Sequence, residues 1–246
     1  MDLTGVTIAF DLDGTLVDTA PDLISSLNVV LGERGLPPLP TEAARVLVGR
    51  GARALIERGF AVAGEPLAEA EVAGLVAHFI AVYRGRIAHE SRAFERLEVA
   101  LDALRARGAV LAVCTNKPTD LSELLLTALN LRDRFAAVVG ADKTSAPKPA
   151  AAHLLETIAL AGGDPRRAIM VGDSIADVRS AQAAGVPCIV VPFGYTDTPA
   201  HELGGDLLVE HYDALGAAVE QLLSGAAPAL PSRDGSAIAA ASRADA

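Results

Sequence analysis

Apolar positions along the chain follow two alternating rhythms. Residues 6–10, 109–114, 136–139, 168–171 and 188–191 are short continuous apolar runs bounded by turn residues. Runs of that length suit strands buried on both faces of a sheet. Residues 207–209 read as a short edge strand. Between the runs the spacing changes to that of a helix. In residues 94–108, Phe94, Leu97, Leu101 and Leu104 share a face, and Gly108 supplies a stop. In residues 148–163, Pro149 suits a first helical turn, and Leu154, Leu155 and Ile158 form the stripe. Strand and helix alternate from residue 94 onward, which predicts right-handed βαβ units and an α/β fold with a doubly wound parallel sheet.

Residues 18–88 break this alternation. Helical periods cover residues 23–31, 52–62 and 67–87, with a Gly-Pro-rich loop (GLPPLPT) between the first two and no strand pattern. The expected organisation is a core of residues 1–17 and 89–225 with an all-helical insert at 18–88. Residues 226–246 are rich in Ala, Ser and Pro without an amphipathic period, and are expected to be a disordered tail.

Half of the 246 residues are apolar, enough for a full core without disulfide or metal staples. The chain carries a net charge of −10, with no basic run and no basic-aromatic interleaving. That field disfavours nucleic acid and anionic membranes as partners. It would also repel a small anion, so a phosphate site here needs its own local cations. Cys114 and Cys188 sit in apolar runs and read as buried free thiols. No leader pattern or membrane-length stretch is seen, and a reducing cytoplasm is expected.

The first strand runs into Asp11-Leu12-Asp13-Gly14. Ligands of open α/β sheets bind beyond the carboxyl ends of the strands, and two carboxylates held there need a shared cation or proton. Taken alone, the segment equally suits a solvated Asp-Gly turn. Three further strand ends change that balance. Thr115-Asn116-Lys117 offers a hydroxyl, an amide and an amine, Lys148 precedes a helix, and Asp173 and Asp177 follow the 168–171 run. Acids, hydroxyl, amide and ammonium converging at one edge make a Mg²⁺ and phosphoryl-transfer site. Of the 21 basic residues only Lys117, Lys143 and Lys148 are lysines, all at or beside these strand ends. A compact ammonium there suits a phosphoryl oxygen.

The order DLDGTLVDT, TNK, PKP, GDSIADV resembles the haloacid dehalogenase superfamily of phosphohydrolases, over nearly the whole chain to about residue 224. The resemblance implies a Rossmann-like core and a helical cap over the site. It implies Asp11 as nucleophile and Asp13 as general acid/base. It also implies Mg²⁺ held by the carboxylates of Asp11 and Asp173 and the backbone carbonyl of Asp13. Thr115 and Lys148 match the residues that bind the transferring phosphoryl group, Asn116 a further donor, and Asp177 an acid orienting Lys148 or a metal-bound water. The acid at Asp13 separates the chain from the dehalogenases, and the absence of lysine from residues 18–88 separates it from the phosphonoacetaldehyde hydrolases.

Softer segments, DTAPDL at 18–23, the VGRGA loop at 48–52 and PFGYTDT at 192–198, resemble the bacterial phosphoglycolate phosphatase branch. The implied substrate is a small phosphorylated metabolite carrying a carboxylate. A cation from the cap is then required, and Arg50 between two glycines is the candidate, with Arg53 in reserve. A solvated surface charge is an equal reading of Arg50. Sugar phosphates as substrates, and phosphomutase activity within the same superfamily, remain open alternatives. The five histidines share no metal-like spacing and read as surface or helix-packing residues.

Overall fold

The continuous apolar run near the N-terminus becomes the central strand of the sheet, β1 (Thr7–Phe10). The computed structural model describes residues 1–49, 51–196 and 198–225. Residues 226–246, expected to be disordered, lie outside the described residues, as does Arg50.

After β1 come a two-residue strand β2 (Val17–Asp18) and four helices: α1 (Ala20–Glu33), α2 (Thr41–Ala44), α3 (Gly51–Val62) and α4 (Glu69–Arg84). The chain returns through β3 (Arg92–Ala93), α5 (Leu97–Ala106), β4 (Val110–Thr115), α6 (Thr119–Ala128), β5 (Ala137–Gly140) and α7 (Ala151–Leu160). It closes with β6 (Ala168–Gly172), α8 (Ile175–Ala184), β7 (Cys188–Val190), β8 (Leu207–Leu208) and α9 (Leu215–Leu223).

The main sheet has the order β5-β4-β1-β6-β7-β8 with every pairing parallel. Helices cover both faces, which is why the strands read as unbroken apolar runs. Ile8 and Phe10 enter one apolar cluster with Leu101, Leu111 and Leu125. Ala9 points the other way, to Leu154, Ile158 and Met170. β1 lies between β4 and β6, so the strand order reverses at β1 and leaves a crevice beyond its carboxyl end.

Two local expectations are corrected. Phe94 precedes α5 and packs on Phe193 with ring centroids 4.6 Å apart, so the helical stripe begins at Leu97. Pro149 also lies outside its helix, which starts two residues later at Ala151 behind the N-cap Ala150. Proline fits an extended approach to a helix as readily as its first turn.

The helical insert is tied to the core at both linkers. β2 and β3 pair antiparallel, Val17 with Ala93 and Asp18 with Arg92. Beside them the fully buried carboxylate of Asp22 accepts hydrogen bonds from the backbone of Glu90 (3.0 Å) and Ser91 (2.8 Å) and from the Ser91 hydroxyl (2.7 Å). Asp22→Ala would leave the buried amide and hydroxyl of Ser91 and the part-buried amide of Glu90 unpaired, a cost of about 2–4 kcal/mol. For a chain of this size the melting temperature is expected to fall by roughly 5–10 °C. A variant that melts with wild type in a thermal denaturation scan contradicts this role.

Candidate active site

The residues that follow β1, β4 and β6 meet in the crevice. Asp11 leaves β1 with its carboxylate 2.9 Å from the Nζ of Lys148, and one of its oxygens accepts the Leu12 amide at 2.7 Å. Lys148 is buried and also donates to Asp177 at 2.6 Å. Burial alone would push its pKa down, but the Asp11 and Asp177 carboxylates more than offset this and hold it protonated. Asp177 is fixed in turn. It closes a capping box with Ser174 at the start of α8, its carboxylate accepting the Ser174 amide at 3.0 Å. Gly172 is required beside it, because a Cβ there would stand 2.4 Å from the Asp177 carboxyl carbon.

Asp173 is buried at the end of β6, where its two oxygens accept the Thr15 hydroxyl (2.8 Å) and the Tyr195 amide (2.8 Å). Gly14, at φ +85°, passes so close that a Cβ would lie 2.6 Å from an Asp173 oxygen. Asp11, Asp173 and Asp177 each present a carboxylate oxygen within 4.8 Å of the others. Burial, then repulsion among these acids, raises Asp173 to about 8; burial raises Asp11 to about 7 against the opposing pull of Lys148. Three buried acids share a single ammonium among the described residues. The deficit of positive charge and the all-oxygen donor set fit a hard divalent cation.

The side chain of Asp13 lines the same cavity and pairs with Lys117, its two oxygens 3.0 and 3.2 Å from Nζ. Thr115 ends β4 and lines the same cavity, its hydroxyl accepting the Lys117 amide at 3.2 Å. Asn116 donates a side-chain N–H to the Lys148 carbonyl at 3.0 Å, and its own side-chain oxygen is buried without a partner among the described residues. Lys143 falls on an exposed turn after β5, away from the other two lysines. The cavity encloses roughly 620 Å³ including its open mouth, the size of a small-metabolite site. The insert closes its far side with apolar residues, among them Leu23, Leu55, Phe79 and Ile80. Gly49 and Gly51 line it too; Arg50 between them lies outside the described residues.

Two positioning residues escaped the sequence reading. His153, expected at a surface or in helix packing, is fully buried beside the site. Its Nδ1 accepts the Lys148 amide at 3.2 Å, so Nε2 carries the proton toward the Val139 carbonyl at 3.0 Å. Burial and the Lys148 charge push its pKa down to about 4 from the ordinary 6.5. A histidine depressed in the folded state gives stability that is complete above about 6.5 and lost as pH falls toward about 4. Wild type is expected to lose about 2–3 kcal/mol over that window that His153→Leu does not lose, read by urea unfolding at several pH values. Parallel pH profiles in the two proteins contradict the assignment.

Tyr195 is the second. Besides holding Asp173 through its amide, its hydroxyl accepts the Thr19 and Ala20 amides (2.6 and 2.9 Å) and donates to Asp18 (2.6 Å). Asp18 is also ion-paired with Arg45 of the insert at 3.0 Å. Tyr195 therefore links Asp173 to the linker at Asp18 and Thr19. The only sequence signal for it was the PFGYTDT segment. Cys114 and Cys188 are both buried free thiols, and burial raises Cys114 to about 12.

Asp11 at the end of β1, a lysine braced by two carboxylates and a cluster of buried acids stand together at the switch point of a Rossmann-like sheet. The family model for haloacid dehalogenase-like hydrolases matches residues 8–191, and the chain belongs to that family. A phosphoglycolate phosphatase of Caulobacter vibrioides is 51% identical over 228 residues, covering 92% of this chain and 96% of the relative. One of Agrobacterium fabrum is 48% identical, covering 89% and 95%. Among solved structures, a predicted phosphoglycolate phosphatase from Haemophilus somnus superposes with a TM-score of 0.80 at 28% identity, over 89% of this chain and 99% of its own. Among the described residues no helix is long and apolar enough to cross a membrane.

Proposed function

We propose that this phosphoric monoester hydrolase cleaves 2-phosphoglycolate to glycolate and phosphate through an aspartyl-phosphate on Asp11, with Mg²⁺ as its metal. The observation that carries the reading is the Asp11 carboxylate, held 2.9 Å from a buried lysine that Asp177 braces from behind. Lys148 draws a phosphoryl oxygen toward that carboxylate and neutralises charge on the transferring group. Thr115 lines the same end of the cavity and offers a hydroxyl to a phosphoryl oxygen. An Asp11 oxygen attacks phosphorus, and the bond to the ester oxygen breaks. Asp13, which lines the same cavity, gives its proton to the departing alkoxide. The same carboxylate then takes a proton from water, whose oxygen attacks the phosphorus of the acyl phosphate and frees Asp11. The metal, held by Asp11, Asp173 and the Asp13 carbonyl, would supply charge neutralisation at the phosphoryl oxygens.

The relatives' shared activity supports the choice of substrate, and the cavity's size suits a small phosphorylated metabolite. A panel of phosphate esters assayed with Mg²⁺ tests it: kcat/KM is expected to be highest on 2-phosphoglycolate, with steady release of free phosphate. Formation of an isomeric phosphate ester in place of free phosphate would identify a mutase. A sugar phosphate at the head of the panel would overturn the substrate.

A further inference from the structure

The two lysines of the cavity have different company. Lys148 is committed to Asp11 and Asp177 at the phosphoryl end. Lys117 is equally buried, yet among the described residues Asp13 is the one carboxylate paired with its ammonium. An ammonium carries three N–H donors, and two go to the Asp13 oxygens. Among the described residues the third meets no second carboxylate. It lies under the ring of Tyr83 from α4, with Nζ 4.5 Å from the ring centroid. The Tyr83 hydroxyl is itself buried, and among the described residues no acceptor lies within hydrogen-bond distance of it. Both side chains line the cavity.

Asp13 delivers its proton to the ester oxygen, so whatever lies just beyond Asp13 faces the leaving group. In a phosphorylated 2-hydroxy acid the carboxyl carbon is two bonds from that oxygen. A carboxylate there would otherwise meet the apolar wall of Leu55, Phe79 and Ile80. Stripping an anion of water against such a wall is prohibitive without a cation and a donor beside it.

We propose that Lys117 and Tyr83 together receive the carboxylate of the substrate's leaving group, and that this pair sets the preference for carboxylated phosphate esters. The third ammonium N–H and the phenol O–H are two donors on residues that line one small cavity. Tyr83 belongs to the insert and Lys117 to the core, so a carboxylate bound between them also bridges the two. The inference rests on the phosphoglycolate reading and assigns its recognition site.

The test compares kcat/KM on 2-phosphoglycolate and on 2-hydroxyethyl phosphate, which replaces the carboxylate by a neutral hydroxymethyl group. Wild type, Lys117→Met and Tyr83→Phe are assayed with Mg²⁺. Lys117→Met also loosens Asp13 and is expected to slow both substrates. The ratio between them isolates recognition, and should fall by about 30-fold or more. Tyr83→Phe does not touch Asp13, and should lower the ratio by about threefold to tenfold while the neutral ester is little affected. If Lys117→Met fails to fold, Tyr83→Phe decides alone. Equal losses on both substrates, or a selective loss in Arg50→Ala with an unchanged ratio in both variants, overturn the inference while leaving the substrate standing. A wild type that prefers the neutral ester overturns the substrate reading and this inference with it.

Discussion

Asp11→Asn is expected to abolish turnover, by more than about 10³-fold in kcat, while the protein stays folded. An amide is a poor nucleophile toward phosphorus, and no other nucleophile is placed against Lys148 in the cavity described. The substitution keeps the shape of the side chain and the acceptor for the Leu12 amide. It also relieves a burden of the metal-free fold, because burial raises Asp11 to about 7 beside two further buried acids. A carboxylate raised in the folded state gives stability below its unfolded value of 3.8 that is lost as pH rises through about 7. At pH 8 without metal, Asp11→Asn should therefore melt no lower than wild type. A folded variant that retains even about a tenth of wild-type turnover contradicts nucleophilic catalysis by Asp11.

Removing the metal should have an effect of the same size. Activity is expected to vanish in excess chelator and return with Mg²⁺. The metal should also be visible without any assay of catalysis. At about 100 times its dissociation constant, Mg²⁺ should stabilise the fold by about 2.7 kcal/mol, roughly 5–10 °C in melting temperature. The sign of the pH dependence follows from Asp11 and Asp173, raised to about 7 and about 8. The metal-free protein loses stability as pH rises through these values, and a bound cation cancels that loss. The thermal gain from Mg²⁺ should therefore be larger at pH 8.5 than at pH 6, and small in Asp173→Ala at both. Full activity in chelator, or an equal gain at both pH values, contradicts the cluster as a metal site.

What could be read from the sequence was whatever depends on local period and strand order. The runs around residues 6–10, 109–114, 136–139, 168–171 and 188–191 appear as parallel strands with ends moved by a residue or so. Once strands are buried on both faces, their carboxyl ends must share one edge, and Asp11, Thr115 and Asp173 converge there. Partners set by packing across long separations were not legible. Nothing in the chain announces that Tyr195 reaches Asp18 across 177 positions, or that Asp22 meets Ser91 across 69. His153 looked like any helix residue, because its function is a hydrogen bond to the backbone of Lys148. Lys117 was seen as one more amine for phosphate, whereas its place beside Asp13 and under Tyr83 depends on how the insert sits on the core.

The covalent intermediate should be seen most directly in Asp13→Asn. An aryl phosphate such as 4-nitrophenyl phosphate has a leaving group that needs no proton, so Asp11 can still be phosphorylated in this variant. Hydrolysis of the acyl phosphate does need a base, and should stall. Acid quenching after a few seconds, digestion and mass spectrometry should find one added phosphoryl group on the peptide carrying Asp11, matching a burst of one 4-nitrophenolate per enzyme. A burst with no phosphoryl on Asp11, or with the group on another residue, would contradict the account.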